Sequence, residues 1–193
     1  MEERIKEILK QLGADDYGIA NIERFANSPS GFHPADIYKD CRSVIVFAKC
    51  MPKGLAYVSP RIAYIRATEV NLNELDRIGV LASIEIEKAG GIAVPIPSDS
   101  PYEYWDAERL EGRGIFSMRH AAQLSGLGSM GKSNLIINKK FGTMLNFGAI
   151  LTNLDLKSDL LSEEMCLPNC RICLDNCPQK ALNGLNVNQK ICR

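Results

Sequence analysis

Apolar residues return at helical spacing near the start of the chain, where Ile5, Ile8, Leu9 and Leu12 share one face of a helix predicted over residues 2–12 and stopped by Gly13. Tyr17-Gly18-Ile19-Ala20 then reads as a short strand. Ser43-Val44-Ile45-Val46-Phe47-Ala48 is an unbroken apolar run bounded by charge and by Pro52, the pattern of a central strand covered on both faces. From Arg61 to about Lys88 the helical period returns through Val70, Leu72, Leu75, Ile78, Leu81 and Ile84, and Gly90-Gly91 ends it. Ile92-Ala93-Val94-Pro95-Ile96-Pro97 is a strand whose prolines mark a sheet edge or a strand end. Residues 98–112, polar and aromatic with Tyr102, Tyr104 and Trp105, are long enough for a functional loop or lid. A further helix runs through Met118, Ala121, Ala122 and Leu124. Asn134 to Ile137 and Met144 to Leu151 then flank Asn138-Lys139-Lys140-Phe141-Gly142, read as a hairpin turn. This order predicts an α+β body, a central mixed sheet flanked by helices, over residues 1–160. A small segment follows at 161–193, with the boundary between Lys157 and Glu164.

Composition narrows the partners. A chain of 193 residues can bury one core and carry an appendage ordered by a metal. Its 23 basic and 23 acidic residues leave zero formal charge, which argues against nucleic acid or an acidic membrane as a partner of the protein as a whole. No apolar run approaches the ~20 residues that span a bilayer. The charged start Met1-Glu2-Glu3-Arg4-Ile5-Lys6 has no apolar signal core, so a soluble, cytoplasmic protein is expected.

The chemistry concentrates at the other end. Five of the seven cysteines, Cys166, Cys170, Cys173, Cys177 and Cys192, fall in the last 28 residues, with Pro178 directly after the fourth. C-x3-C-x2-C-x3-C-P differs by one residue from the run that bacterial ferredoxins use to hold [4Fe–4S] clusters. Proline suits the first turn of a helix, so Pro178 to Leu182 is predicted helical, with the Cys177 thiolate at its positive end. Disulfides would need an oxidising compartment. Structural zinc favours two ligand pairs separated by a loop, whereas four of these thiols share twelve residues. Cys41 and Cys50 fit the description of scattered, buried thiols.

Gly126-Leu127-Gly128-Ser129-Met130-Gly131-Lys132-Ser133 satisfies both G-x-G-x-x-G and G-x4-G-K-[ST]. Phosphate binding by either motif needs a strand before the glycines and a helix after them. Here a predicted helix precedes and strand-like sequence follows, which argues against ATP, GTP or a dinucleotide. Two readings stay open: a loop whose Lys132, Ser133 and Asn134 hold a polar group of another cofactor, or a helix-to-strand connection in which glycine merely permits positive φ.

Ser117-Met118-Arg119-His120-Ala121-Ala122, Ser125-Gly126-Leu127-Gly128, Gly131-Lys132, Leu135-Ile136, Gly142 and Ile150-Leu151-Thr152, followed by the cysteine run and preceded by Arg42-Ser43-Val44-Ile45-Val46, resemble the epoxyqueuosine reductase family and its shorter iron–sulfur relatives. The resemblance covers residue 10 or so to the end and lies in the order and spacing of the motifs. It implies a body similar to flavin-dependent nitroreductases and cobalamin-processing proteins, joined to a ferredoxin-like module whose clusters feed electrons to a cobalamin. It further implies that Gly126, Gly128, Gly131, Lys132, Ser133 and Asn134 line the cofactor cavity. The family's aspartate falls near Gly112, beside Glu111, and its loop tryptophan is Ser129 here. In two-cluster modules the cysteine before proline serves the other cluster. Cys166, Cys170 and Cys173 would then hold one cluster, completed by Cys177 or Cys192 in a single-cluster protein, or the chain is a truncated member whose second cluster lacks ligands.

The leading expectation is an iron–sulfur oxidoreductase that passes electrons from a [4Fe–4S] cluster to a corrinoid or flavin-like cofactor. A redox partner protein and a small-molecule or modified-nucleoside substrate go with it. Glu111, His120 and Tyr104 are the candidate proton donors. The alternatives are a non-catalytic electron carrier and a zinc-stabilised binding module.

Overall fold

The computed structural model describes residues 1–59, 61–101 and 103–192, so Tyr102 lies outside the described residues. In chain order they form α1 (Glu2–Gln11), β1 (Asp16–Asn21), α2 (Pro34–Ile37), β2 (Ser43–Cys50), α3 (Arg61–Lys88), β3 (Ala93–Ile96), β4 (Tyr104–Asp106), β5 (Glu111–Arg113), α4 (Met118–Leu124), β6 (Ser129–Met130), β7 (Ile136–Ile137), β8 (Leu145–Thr152) and α5 (Ile172–Asp175).

The central sheet has the order β1-β2-β8-β3, and each neighbouring pair is antiparallel. This corrects the mixed sheet expected from sequence. Strands β2 and β3 do run the same way, joined by the α3 crossover, but β8 slots between them and pairs antiparallel with both. Alternation along β2 sorts the core. Val44, Val46 and Ala48, with Ala149 and Leu151, face Ala121 and Ala122 of α4, Phe25 and Phe116. Ile45 and Phe47, with Ile19 and Ile150, face Ile5 and Leu9 of α1 and Leu75, Ile78, Ala82 and Ile86 of α3. Burial on both faces is why β2 reads as an unbroken apolar run.

Both sheet edges are closed to further pairing. Strand β3 ends the sheet on one side and carries Pro95, which offers no N–H. Along β1 the segment 155–159 takes the place of a strand: the Asp159 N–H donates to the Ile19 carbonyl at 2.9 Å, and the Ile19 N–H donates to Asp159 Oδ2 at 2.9 Å. The Lys6 ammonium adds an ion pair to Asp159 at 2.5 Å. The segment entering the cysteine tail is therefore anchored to the body.

Two local expectations change. In place of an open loop, residues 104–113 fold back as the β4–β5 hairpin, its turn nucleated by Asp106 Oδ1, which accepts the N–H groups of Glu108 and Arg109. The turn at 138–142 forms, with Asn138 and Gly142 exchanging N–H···O bonds of 2.8 and 2.9 Å. Its arms do not pair, because β7 pairs with β6 while β8 belongs to the central sheet.

Candidate functional site

Helix α4 delivers the chain into the glycine loop, and strands β6 and β7 follow, an order opposite to that of a phosphate-binding loop. Close approach explains the glycines. A Cβ on Gly126, whose φ is +84°, would stand 2.1 Å from the Leu160 carbonyl oxygen, and one on Gly128 would stand 2.4 Å from that of Ile137. Pressed flat in this way, the loop grips the cysteine segment. Ser129 Oγ accepts the Met165 N–H at 3.0 Å. The Lys132 ammonium donates to the carbonyls of Leu167 at 3.3 Å, Cys170 at 3.1 Å and Pro168. Ser133 and Asn134 complete the turn, in which the Asn134 N–H donates to the Gly131 carbonyl at 2.9 Å and Asn134 itself has φ 59°.

Removing that ammonium should loosen residues 166–170 without disturbing the sheet. A hydrogen bond is worth about 0.5–1.5 kcal/mol net, discounted here for solvent around the ammonium, so Lys132→Ala is expected to speed amide exchange across 166–170 roughly tenfold. Calorimetry should find no ATP binding in either protein. Unchanged exchange, or saturable ATP binding lost in the variant, would contradict this role for Lys132.

The cysteines of the tail are free thiols, with Cys166, Cys170, Cys173 and Cys177 half-buried and Cys192 exposed. The helix expected after Pro178 is corrected to a turn, in which Lys180 adopts φ 49°. The turn still provides the thiolate cradle: Cys177 Sγ accepts the Ala181 N–H at 3.3 Å. This bond, with the N–H groups of Gln179, Leu182 and Lys180, holds the Cys177 thiol below its ordinary pKa. Among the described residues no three Cys, His, Asp or Glu side chains converge as a metal site. The donor chemistry, several soft thiols of which one is held toward thiolate, fits a thiophilic centre. Farther on, the Gln189 carboxamide exchanges two hydrogen bonds with the backbone of Gly112, at 3.0 and 3.1 Å, docking the chain beside Cys192 onto β5.

Gln189 also helps to wall a cleft of about 490 Å³ between residues 96–101 and 112–119. A second hollow of about 250 Å³ shares Ser98, Asp99, Met118 and Arg119 with it and reaches Asn146 and Phe147. Two groups in this region lack complements. Partial burial lowers the pKa of the Arg119 guanidinium, and among the described residues no carboxylate offsets it. Its Nη1 donates to the Asn134 carbonyl at 2.7 Å. Asn146 Oδ1 is buried and accepts no hydrogen bond. A cation and an orphan acceptor lining connected space suit a ligand that carries both acceptors and N–H or O–H donors.

Of the candidate proton donors, Glu111 and Tyr104 meet at Arg113 on the β4–β5 hairpin, and His120 lies apart from them on α4. Glu111 pairs with Arg113 at 2.9 Å and faces the 183–190 side of the tail. Tyr104 packs under the Arg113 guanidinium, 5.7 Å from ring centroid to Cζ. His120 Nδ1 lies 2.7 Å from Ser117 Oγ, beside an apolar hollow walled by Phe25, Phe32 and Phe116. Burial, and then the Arg119 charge, lower its pKa. Sequence reading passed over Arg119 and Asn146. Arg119 does stand inside the Ser117-Met118-Arg119-His120 run that carries the family resemblance.

No family model matches the chain. Among curated proteins, epoxyqueuosine reductase of Bacillus anthracis is 27% identical over 214 aligned residues, covering 95% of this chain and 53% of that protein. Tetrachloroethene reductive dehalogenase of Desulfitobacterium hafniense is 26% identical, covering 89% of this chain and 28% of its own length. The solved epoxyqueuosine reductase of Streptococcus thermophilus superposes with a TM-score of 0.68 at 18% identity, over 98% of this chain and 56% of that one. An epoxyqueuosine reductase crystallised with an epoxyqueuosine-modified tRNA stem loop gives 0.65 at 18% identity, over 97% of this chain and 54% of that one. A reductive dehalogenase described as B12-dependent gives 0.64 at 18% identity, over 93% of this chain and 25% of that one. The chain thus spans about half the length of the epoxyqueuosine reductases that it matches end to end. By sequence over nearly its whole length, and by fold, the chain is a relative of the epoxyqueuosine reductases.

Proposed function

We propose that the chain is an iron–sulfur oxidoreductase: Cys166, Cys170 and Cys173, with Cys177 or Cys192, hold a [4Fe–4S] cluster, and the Arg119 cleft takes a corrinoid. One observation carries the reading. Arg119 bonds the Asn134 carbonyl, Asn134 closes the turn that begins at Gly131, and Lys132 of that turn bonds the Cys170 carbonyl, so cleft and cysteine loop share one hydrogen-bonded scaffold. A bound cluster would supply single electrons, and a corrinoid a strongly reducing metal centre. The chain's own residues bind and position. The peripheral amides of a corrinoid offer N–H donors for Asn146 Oδ1 and carbonyl acceptors for Arg119. The likeness to a B12-dependent dehalogenase supports the corrinoid, and the likeness to an enzyme seen with a modified tRNA stem loop supports a modified nucleoside among the substrates. A redox partner protein would deliver the electrons.

Oxygen-free protein should contain about four irons with matching acid-labile sulfide. Added cobalamin should shift its visible spectrum on binding. Loss of a charge-assisted hydrogen bond, about 1.5–3 kcal/mol, should weaken that binding at least tenfold in Arg119→Met. Iron-free protein would sink the cluster. Iron without any corrinoid shift would leave an electron carrier.

A further inference from the structure

Helix α3 buries one apolar face and carries exposed apolar side chains at both ends of the other. Leu75, Ile78, Ala82 and Ile86 face the sheet, and nothing among the described residues covers the opposite side, where Ile62 is 75%, Val80 49% and Ile84 43% exposed. Val70 and Leu81 flank that outer stripe, at 48% and 37% exposure. Val80, Leu81 and Ile84 form one contiguous exposed apolar group, of the kind that marks an interaction surface.

The stripe has an internal symmetry. At 3.6 residues per turn Ile62, Arg66, Glu69, Asn73, Arg77, Val80 and Ile84 fall along one line, about 33 Å long. Around Asn73 the spacing is the same in both directions: Glu69 and Arg77 at the first step, Arg66 and Val80 at the second, Ile62 and Ile84 at the third. Their charges differ in sign where symmetry asks for attraction, and both outer ends are isoleucine.

The geometry points to a second copy of this chain as the occupant, its α3 lying antiparallel on the first about a two-fold axis at Asn73. An isologous contact repeats each pair twice. Glu69 meets the partner's Arg77 at both ends, Ile62 packs on the partner's Ile84, and the Arg66 stem lies over the partner's Val80. Asn73 meets the partner's Asn73 on the axis, where a paired amide fixes register. Within one chain Arg66 bonds Glu69 at 2.8 Å and Glu74 bonds Arg77 at 3.0 Å, which holds both charges on the helix surface with Glu69 and Arg77 about half exposed. Antiparallel packing also opposes the two helix dipoles favourably. This interface is independent of the redox reading.

Sedimentation equilibrium tests it. The chain is expected to be dimeric at about 100 μM protein, a concentration at which even a micromolar association is nearly complete. Glu69→Arg sets a second guanidinium against the partner's Arg77 at both ends, and Arg77→Glu sets two glutamates against each other. Each variant alone should dissociate roughly thirtyfold more readily, because both Glu69–Arg77 contacts turn from attraction to repulsion. An equimolar mixture of the two restores attraction between unlike chains and should dimerise again, with circular dichroism confirming unchanged helix content throughout. A monomeric wild type overturns the proposal, as it would if a separate domain or another protein covers this face. So do dimers indifferent to the single swaps, or single variants that mixing fails to rescue.

Discussion

Cys170→Ala and Cys173→Ala should each purify without iron under oxygen-free conditions, whereas Cys41→Ala should retain it. Both tail cysteines are half-buried thiols on the segment gripped by the glycine loop, and on the proposed assignment both are ligands in either the one-cluster or the two-cluster arrangement. A cube that loses one of four thiolates loses a corner iron's anchor. Cys41 differs in kind. Burial pushes its thiol up to about 11, it sits at 6% exposure in the core, and its Sγ donates to the Ser43 carbonyl at 3.5 Å. It is a small apolar filler. Iron and sulfide analysis reads the difference directly, and amide exchange should show residues 161–192 loosened while β1, β2, α3 and β8 keep their protection. Full iron in both tail variants would overturn the ligand assignment.

The body of the fold was legible wherever a single period dominated. Ile5 and Leu9 of α1 and the unbroken β2 run occupy the buried positions that their spacing requires, whereas of the α3 period Leu75 and Ile78 are buried and Val70, Leu81 and Ile84 are exposed, Ala82 and Ile86 taking the inner face instead. Pro95 marked an edge because a missing N–H is tolerated only there. Strand order was not legible. Nothing local in Leu145 to Thr152 tells whether those residues pair across the turn with β7 or insert between β2 and β3, since either partner buries Ala149, Ile150 and Leu151. Tertiary packing settles the choice, and with it the antiparallel sheet. The helix after Pro178 failed for a related reason: proline sets φ for a helical start, but four or five residues cannot sustain a helix without an apolar face to bury, and the segment turns at Lys180 instead.

The site was legible as chemistry and illegible as contact. Cysteine spacing is local and can be read directly, whereas the clamp between Lys132 and Cys170 joins residues 38 apart in sequence that no short motif relates. The same holds for Arg119. One arginine in a short helix ordinarily faces solvent, and only its burial without a carboxylate, beside the orphan Asn146 oxygen, marks it. Ser129 gains a role from its small size as well, because a hydroxyl there accepts the Met165 N–H directly.

The reading of the glycine loop as a packing joint yields the second large effect. Gly128→Ala should lower stability by about 2–3 kcal/mol, seen as a lower urea midpoint. Its methyl would stand 2.4 Å from the Ile137 carbonyl oxygen and 2.6 Å from Ile136 Cγ2. The first of these is backbone of β7, paired to Ser129 and Met130, so it cannot swing aside as a side chain would. Either β7 shifts and strains the buried Ile136, or β6 lifts and carries Ser129 off Met165 and Lys132 off the cysteine loop. The variant should therefore also hold its iron more weakly, which ties the loop's fit to the redox proposal by a route that does not touch a cysteine. Gly54→Ala is the control: an added Cβ there meets nothing within 4 Å, at an ordinary φ, and should leave the midpoint unchanged or slightly raised. If the glycines served instead to let a phosphate approach the backbone, Gly128→Ala would spare stability and abolish nucleotide binding, so equal urea midpoints for the two variants would refute the packing role.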